Sequence, residues 1–217
     1  MCCCSLKPPE FRQHADWCRQ IWWDRAATAW ENYEPEGLNA MHLRALAPYL
    51  KSQALVIGGG QGFVSEILFE LGFLSQAVDW SNRMIQRAWQ RRQLRIKKAN
   101  ANSLPFDSNF FATSIITTGV LSGSHTNSEL SDYLYEAARV VQPHGTVVVS
   151  ILKSNVNTQV TFDAPIDLAV PTPFLSSSRI IKNAPSTLTL YHEFEISQVS
   201  LLLFQKHLSQ DSKRKHS

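Results

Sequence analysis

Three glycines, Gly58, Gly60 and Gly62, are interleaved with Gly59 and Gln61 between the apolar run Ala54-Leu55-Val56-Ile57 and a stretch whose apolar residues recur at helical spacing. A strand that feeds a helix through such a loop lets backbone amides and the helix N-terminus approach a ligand closely, because no side chain intervenes. The loop by itself is a weak signal. A dinucleotide-binding loop would carry its last glycine at position 63, where Phe63 stands, which lowers the dehydrogenase reading. Asp79 adds a second group, 17 residues beyond Gly62 at the end of the next apolar run. A carboxylate there can accept hydrogen bonds from both hydroxyls of a ribose, so loop and acid together favour a nucleoside cofactor. The alternatives are a tight turn needed only for packing and an acid capping the helix that begins near Ser81; neither would require the two features at this separation.

The elements that must hold these residues follow from periodicity. Ala54–Ile57 reads as a first strand, and Phe63, Val64, Ile67, Leu68 and Leu71 as one face of a helix stopped by Gly72. Ser75–Val78 is a second strand ending at Asp79, and residues 81–92 a helix with Met84, Ile85, Ala88 and Trp89 inward and Arg83, Arg87, Arg91 and Arg92 toward solvent. A short third strand is expected at 95–99, and the β-branched run 113–118 suits a central buried strand. Thr126-Asn127-Ser128-Glu129 matches a capping box ahead of a helix burying Leu130, Leu134, Ala137, Ala138 and Val141. Pro143-His144-Gly145 then turns the chain into a fifth strand, 146–151, and 186–196 with 199–207 alternate well enough for a closing hairpin. Strands alternating with helices predict a parallel α/β sheet.

The stretches LVIGGGQG, AVDWSNRMI, ANANSLPFDSNFF, ITTGVL and EAARVVQPHGTVVVS, in this order, resemble the successive motifs of class I S-adenosylmethionine-dependent methyltransferases, particularly the small-molecule, methyltransferase type 11-like branch. The resemblance spans about residues 54–151. It implies an α/β, Rossmann-like seven-stranded sheet in the order 3-2-1-4-5-7-6 with the last strand antiparallel, helices on both faces and an N-terminal helical cap. It also implies S-adenosylmethionine as cofactor. Gly58, Gly59, Gly60, Gln61 and Gly62 would border its methionine and ribose portions, and Asp79 would bind the ribose. Trp80 and Met84 would pack near the adenine, Asn100, Ala101 and Asn102 would contact the adenine edge, and Thr117, Thr118 and Gly119 would line the methionine end. Val56, Asn100 and Phe111 stand where the family usually has acids. That departure motivates a competing reading, a catalytically degenerate protein that binds the cofactor or its demethylated product.

Methyl transfer from a sulfonium needs the acceptor held in line with the departing sulfur, so positioning supplies much of the rate and a dedicated base is optional. His125, in the loop after the fourth strand, is the candidate base. No Asn/Asp-Pro-Pro-aromatic element follows the fourth strand, no core cysteine is available to attack a pyrimidine, and no acidic cluster suggests a metal, so none is expected. A small-molecule acceptor is expected. RNA is the alternative, through Arg87, Arg91, Arg92, Arg95, Lys97 and Lys98, although a basic helix face is commonly just solvated.

The totals fit this picture. A chain of 217 residues accommodates one α/β domain with small additions, and 21 basic against 18 acidic residues is too mild an excess to demand nucleic acid. The expected organisation is a disordered tail at 1–10, a helical cap at 11–50 carrying Trp17, Trp22, Trp23, Trp30, Tyr33 and Tyr49, the methyltransferase domain at 51–207 and a tail at 208–217, with an irregular segment near 153–185. All four cysteines fall within the first 18 residues, so no disulfide framework runs through the domain, and neighbouring Cys2, Cys3 and Cys4 lack the spacers of a zinc site. Without an apolar run of membrane length or a secretory signal, a cytoplasmic protein with no membrane association is expected.

Overall fold

The computed structural model describes residues 20, 23–28, 37–121, 126–153 and 175–208. The Cys2–Cys4 triplet, Cys18, Trp17, Trp22, Trp30, Tyr33, His125 and most of the proline-containing stretch after 153 lie outside the described residues.

Seven strands form one sheet: β1 (Ala54–Ile57), β2 (Ser75–Asp79), β3 (Lys97–Lys98), β4 (Phe111–Ile116), β5 (Val141–Leu152), β6 (Leu188–Ile196) and β7 (Val199–Lys206). Their order is β3-β2-β1-β4-β5-β7-β6. Strands β1 to β5 run parallel to one another, whereas β7 is antiparallel to both β5 and β6. The helices are α1 (Ala40–Leu46), α2 (Phe63–Glu70), α3 (Asn82–Arg92), α4 (Thr118–Leu121), α5 (Asn127–Val140) and α6 (Ser177–Asn183), with a 3-10 turn at Ala47–Tyr49.

Strand β1 is buried along its whole length, as a central parallel strand covered on both faces must be. Its alternate residues divide between two cores. Leu55 and Ile57 join Leu130, Leu134, Ala137 and Val140 of α5 on one face, while Ala54 and Val56 join Leu43 and Leu46 of α1 and Val64, Ile67 and Leu68 of α2 on the other. The capping box of α5 forms as its sequence predicts: Thr126 Oγ1 accepts from the Glu129 amide at 3.1 Å and Glu129 Oε2 accepts from the Thr126 amide at 2.7 Å. On α5, Glu136 and Arg139 form a two-pronged ion pair at 2.6 and 2.9 Å, and Arg139 also donates to the carbonyls of Leu104 and Phe106 while Glu136 accepts the Leu104 amide. The hydrogen bonds and charge of Arg139 outweigh burial and hold the Glu136 carboxyl below its ordinary range. This clamp fixes the loop that follows β3 and carries Asn100 and Ala101.

Four local expectations are corrected. Trp89 is 47% exposed rather than inward, its ring stacked against the Arg95 guanidinium 5.6 Å away. The buried face of the helix is narrow, formed by Met84 and Ala88. Arg91 and Arg92 do not simply extend into solvent, since Arg92 pairs with Glu66 at 2.7 Å and both reach back to Gln61. The fourth strand begins at Phe111, buried between the edges of Phe106 and Phe110, and Thr118 belongs to the short helix α4. Finally, Pro143-His144-Gly145 is a bulge within β5 rather than a turn before it, with His144 at φ 64°. Any side chain at Gly145 would meet the Ala112 carbonyl oxygen at 2.6 Å.

Candidate functional site

The loop after β1 is pinned from two sides. Gly58 and Gly59 amides both donate to the Val78 carbonyl, at 3.0 and 2.8 Å, and the Thr117 hydroxyl donates to the Gly58 carbonyl at 2.8 Å. Gly58 adopts φ +79°, and a Cβ there would stand 2.2 Å from Val120 Cγ2 and 2.6 Å from Thr117 Oγ1, so only glycine fits. Gly60 has open space beside it, which leaves its backbone accessible.

Asp79 closes β2 with its carboxylate turned back over this loop. Oδ2 accepts the Gly60 amide at 2.8 Å and Oδ1 the Ser81 amide at 2.9 Å. The residue is only 9% exposed. Burial raises its pKa to about 6, working against the amide hydrogen bonds, and the nearby Asp24 charge adds to the rise. Both oxygens accept backbone N–H groups, and a carboxylate has acceptor capacity left for a ligand.

Residues 20 and 23–28 dock over the same region. Gln20 donates to the Trp80 carbonyl at 2.9 Å, Asp24 accepts the Ser81 hydroxyl and the Arg83 amide at the start of α3, and the Arg87 guanidinium reaches Thr28 at 3.3 Å. Gln61, 1% exposed, donates to the Ala27 carbonyl and accepts from Arg91 Nη1 at 2.9 Å. The Trp23 ring lies beside Gly119, 3.4 Å from where a Cβ would be.

These elements line an open cleft at the carboxyl ends of β1, β2 and β4, where ligands of open α/β sheets bind. Of the residues singled out from sequence, Gly58, Gly59, Gly60, Gln61, Asp79, Trp80, Met84, Asn100, Ala101, Thr117, Thr118 and Gly119 line it. Two do not. Gly62 is buried as the N-cap of α2 at φ +91°, where a Cβ would meet Leu94 at 2.8 Å. Asn102 is exposed beyond the rim, its amide 3.5 Å from the Asn100 side-chain oxygen. Although Gln61 lines the cleft, its side-chain amide is committed to Ala27 and Arg91, which makes it a tie between the loop and the N-terminal segment. His125 lies outside the described residues.

Sequence reasoning did not find Leu38, Val120 or Tyr133, which also line the cleft, nor Asp24. Tyr133 was within reach, because it shares the apolar face of α5 with Leu130, Leu134 and Ala137. Asp24 carried no local signal, since its partners lie 57 and 59 residues away.

Sheet order, antiparallel β7 and a glycine loop facing an acid across the carboxyl edge together define the Rossmann-like fold of class I methyltransferases. Residues 55–149 match the family described as methyltransferase domain. Among solved structures, an S-adenosylmethionine-dependent methyltransferase from Methanosarcina mazei is 17% identical with a TM-score of 0.62, covering 76% of this chain and 98% of its own. A Thermotoga maritima enzyme described as a possible histamine N-methyltransferase is 15% identical with a TM-score of 0.62, over 86% and 99%. A glycopeptide N-methyltransferase in complex with S-adenosylmethionine is 12% identical with a TM-score of 0.62, over 77% and 87%. No protein of curated function matches the chain in sequence. Among the described residues no helix is long and apolar enough to cross a membrane.

Proposed function

We propose that the protein methylates a small molecule, with the cofactor laid along the cleft from Asp79 to Gly119. The observation that carries this reading is the buried Asp79 carboxylate, held by the Gly60 and Ser81 amides with lone pairs to spare at the head of the cleft. Two ribose hydroxyls would complete it. Trp80, Met84 and Ala101 offer apolar surface for the adenine, with Asn100 beside its polar edge. When bound, the cofactor supplies a sulfonium-activated methyl group; the chain's own residues bind, orient and exclude water.

Trp23, Leu38, Val120 and Tyr133 give the cleft apolar, partly aromatic lining, with Trp23 beside Gly119. A lining of that kind suits a compact acceptor with a flat or apolar body. The histamine and glycopeptide named for two structural neighbours are acceptors of limited size, in keeping with this reading. The pairing of Arg92 with Glu66 and the Gln61 carbonyl withdraws one cation from the basic face that an RNA acceptor would use. Residues 51–207 would constitute the catalytic domain, covered by the N-terminal segment, in a cytoplasmic protein, and His125 stays the candidate base. Val56 is buried in the apolar core behind β1, so no carboxylate of the usual kind serves the methionine end.

The test is calorimetric titration with S-adenosylhomocysteine followed by transfer of labelled methyl to a panel of small amines, phenols and carboxylic acids, with bulk RNA alongside. Micromolar binding and label in a small acceptor are expected. Binding without transfer to any of them would favour the degenerate alternative, and label in RNA alone would overturn the small-molecule assignment.

A further inference from the structure

Strand β4 is followed by two consecutive threonines whose hydroxyl protons are both already placed. The Thr117 hydroxyl donates to the Gly58 carbonyl at 2.8 Å. Beside it, Thr118 Oγ1 lies 3.1 Å from the hydroxyl oxygen of Ser150. Ser150 is wholly buried in β5, the only polar side chain in the run Val147-Val148-Val149-Ser150-Ile151, and its hydroxyl donates to the Ile116 carbonyl at 3.1 Å. A serine hydroxyl has one proton. With that proton spent on Ile116, Ser150 faces Thr118 as an acceptor, and Thr118 must be the donor between them. Both threonines therefore meet any ligand in the cleft with lone pairs only.

We propose that this acceptor-only pair holds the α-ammonium group of the cofactor's methionine portion, with buried Ser150 as the positioning residue that sets the direction of Thr118. The inference rests on the reading above that the methionine portion lies toward Thr117–Gly119. An ammonium carries three donors and no acceptor, which matches adjacent oxygens that have no proton to give. Among the described residues Asp79 is the only carboxylate lining the cleft, and it serves the opposite end. Val56, at the usual place of an acid, points its side chain into the apolar core with Ala54, Leu43 and Val64. Two oriented hydroxyls thus take over what a charged group would otherwise do, and the otherwise unexplained polar residue inside β5 acquires a reason.

The experiment compares two ligands on four proteins. S-adenosylhomocysteine carries the ammonium; 5′-methylthioadenosine has the same adenosyl thioether without the amino-acid portion. In wild type, Thr118→Val, Thr118→Ser and Ser150→Ala, affinities for both are measured by calorimetry. Thr118→Val should weaken S-adenosylhomocysteine about five- to tenfold, the loss of one hydrogen bond to a charged group, and leave methylthioadenosine within about twofold. Thr118→Ser, which restores the hydroxyl, should recover most of the loss. Ser150→Ala frees the Thr118 proton to turn toward the cleft and should weaken S-adenosylhomocysteine about threefold, again sparing methylthioadenosine. Equal losses for the two ligands, or unchanged S-adenosylhomocysteine affinity in Thr118→Val, overturn the proposal while leaving the cofactor site standing. Failure of the wild type to bind either ligand overturns both. Should Ser150→Ala not fold, the cleft-surface pair Thr118→Val and Thr118→Ser decides the question.

Discussion

The two ends of the cleft are built by opposite means. At the β2 end a single carboxylate, Asp79, is taken out of water and held by two backbone amides. At the β4 end neutral hydroxyls are aimed by carbonyls, Thr117 by Gly58 and Ser150 by Ile116. The first arrangement binds strongly but pays in desolvation, visible in the pKa of about 6. The second costs little and answers to geometry instead of pH. Gly58 joins the two, since its amide binds the β2 side and its carbonyl the β4 side.

The largest effect should come from that junction. Gly58→Ala places a methyl group 2.2 Å from Val120 and forces alanine to φ +79°, so thermal or urea unfolding should show a loss of about 3 kcal/mol and no measurable cofactor affinity. Wild-type stability in that variant would mean the loop yields and the ends are independent.

Next comes Asp79→Ala, which should weaken S-adenosylhomocysteine by about 1.5 to 3 kcal/mol, roughly ten- to a hundredfold, through the lost ribose hydrogen bonds. Unchanged affinity would remove the ribose role. The cost should be far larger than that of Thr118→Val, and a reversed order would mean that the charged end is not the anchor.

A smaller and more diagnostic effect is the pH profile. Because the pKa of Asp79 is raised in the folded protein, its protonated form stabilises the ligand-free chain below about pH 4, and that contribution is lost as pH rises through about 6. Cofactor binding needs the carboxylate as acceptor, so affinity should move the other way, rising several-fold from pH 5 to 7 with release of a proton. Calorimetry in buffers of different ionisation enthalpy measures that proton, and Asp79→Asn should flatten the profile. The Thr118→Val deficit should be the same at both pH values.

The smallest effect is expected far from either end. Trp89→Ala should change stability by no more than about 0.5 kcal/mol and leave cofactor affinity unaltered, since the ring is nearly half exposed and touches Arg95 rather than the core. A loss of several kcal/mol on unfolding would show that the ring supports α3 after all.

Much of this was legible from the chain alone, and the reason is range. The glycine loop, Asp79 at the end of β2, the capping box at Thr126–Glu129 and the closing hairpin all express themselves through neighbours a few residues apart, where turn chemistry and periodicity act. Gly62 and Asn102 neighbour cleft-lining residues without lining the cleft themselves, because one residue of rotation in a loop decides which way a group faces. Trp89 was turned inward by spacing, which does not report how much room the sheet leaves.

The sequence by itself determined the order of elements, the strand that carries the acid and the loop that faces it, because backbone preferences and apolar alternation are set within each segment. Only the tertiary structure decided that Asp24, Ala27 and Thr28 meet Ser81, Gln61 and Arg87, and that Ser150 of one strand fixes the proton of Thr118 just beyond the end of another. Partners 32 to 60 residues apart in the chain leave no periodic trace, and the direction of a hydroxyl proton exists only once its neighbours are in place.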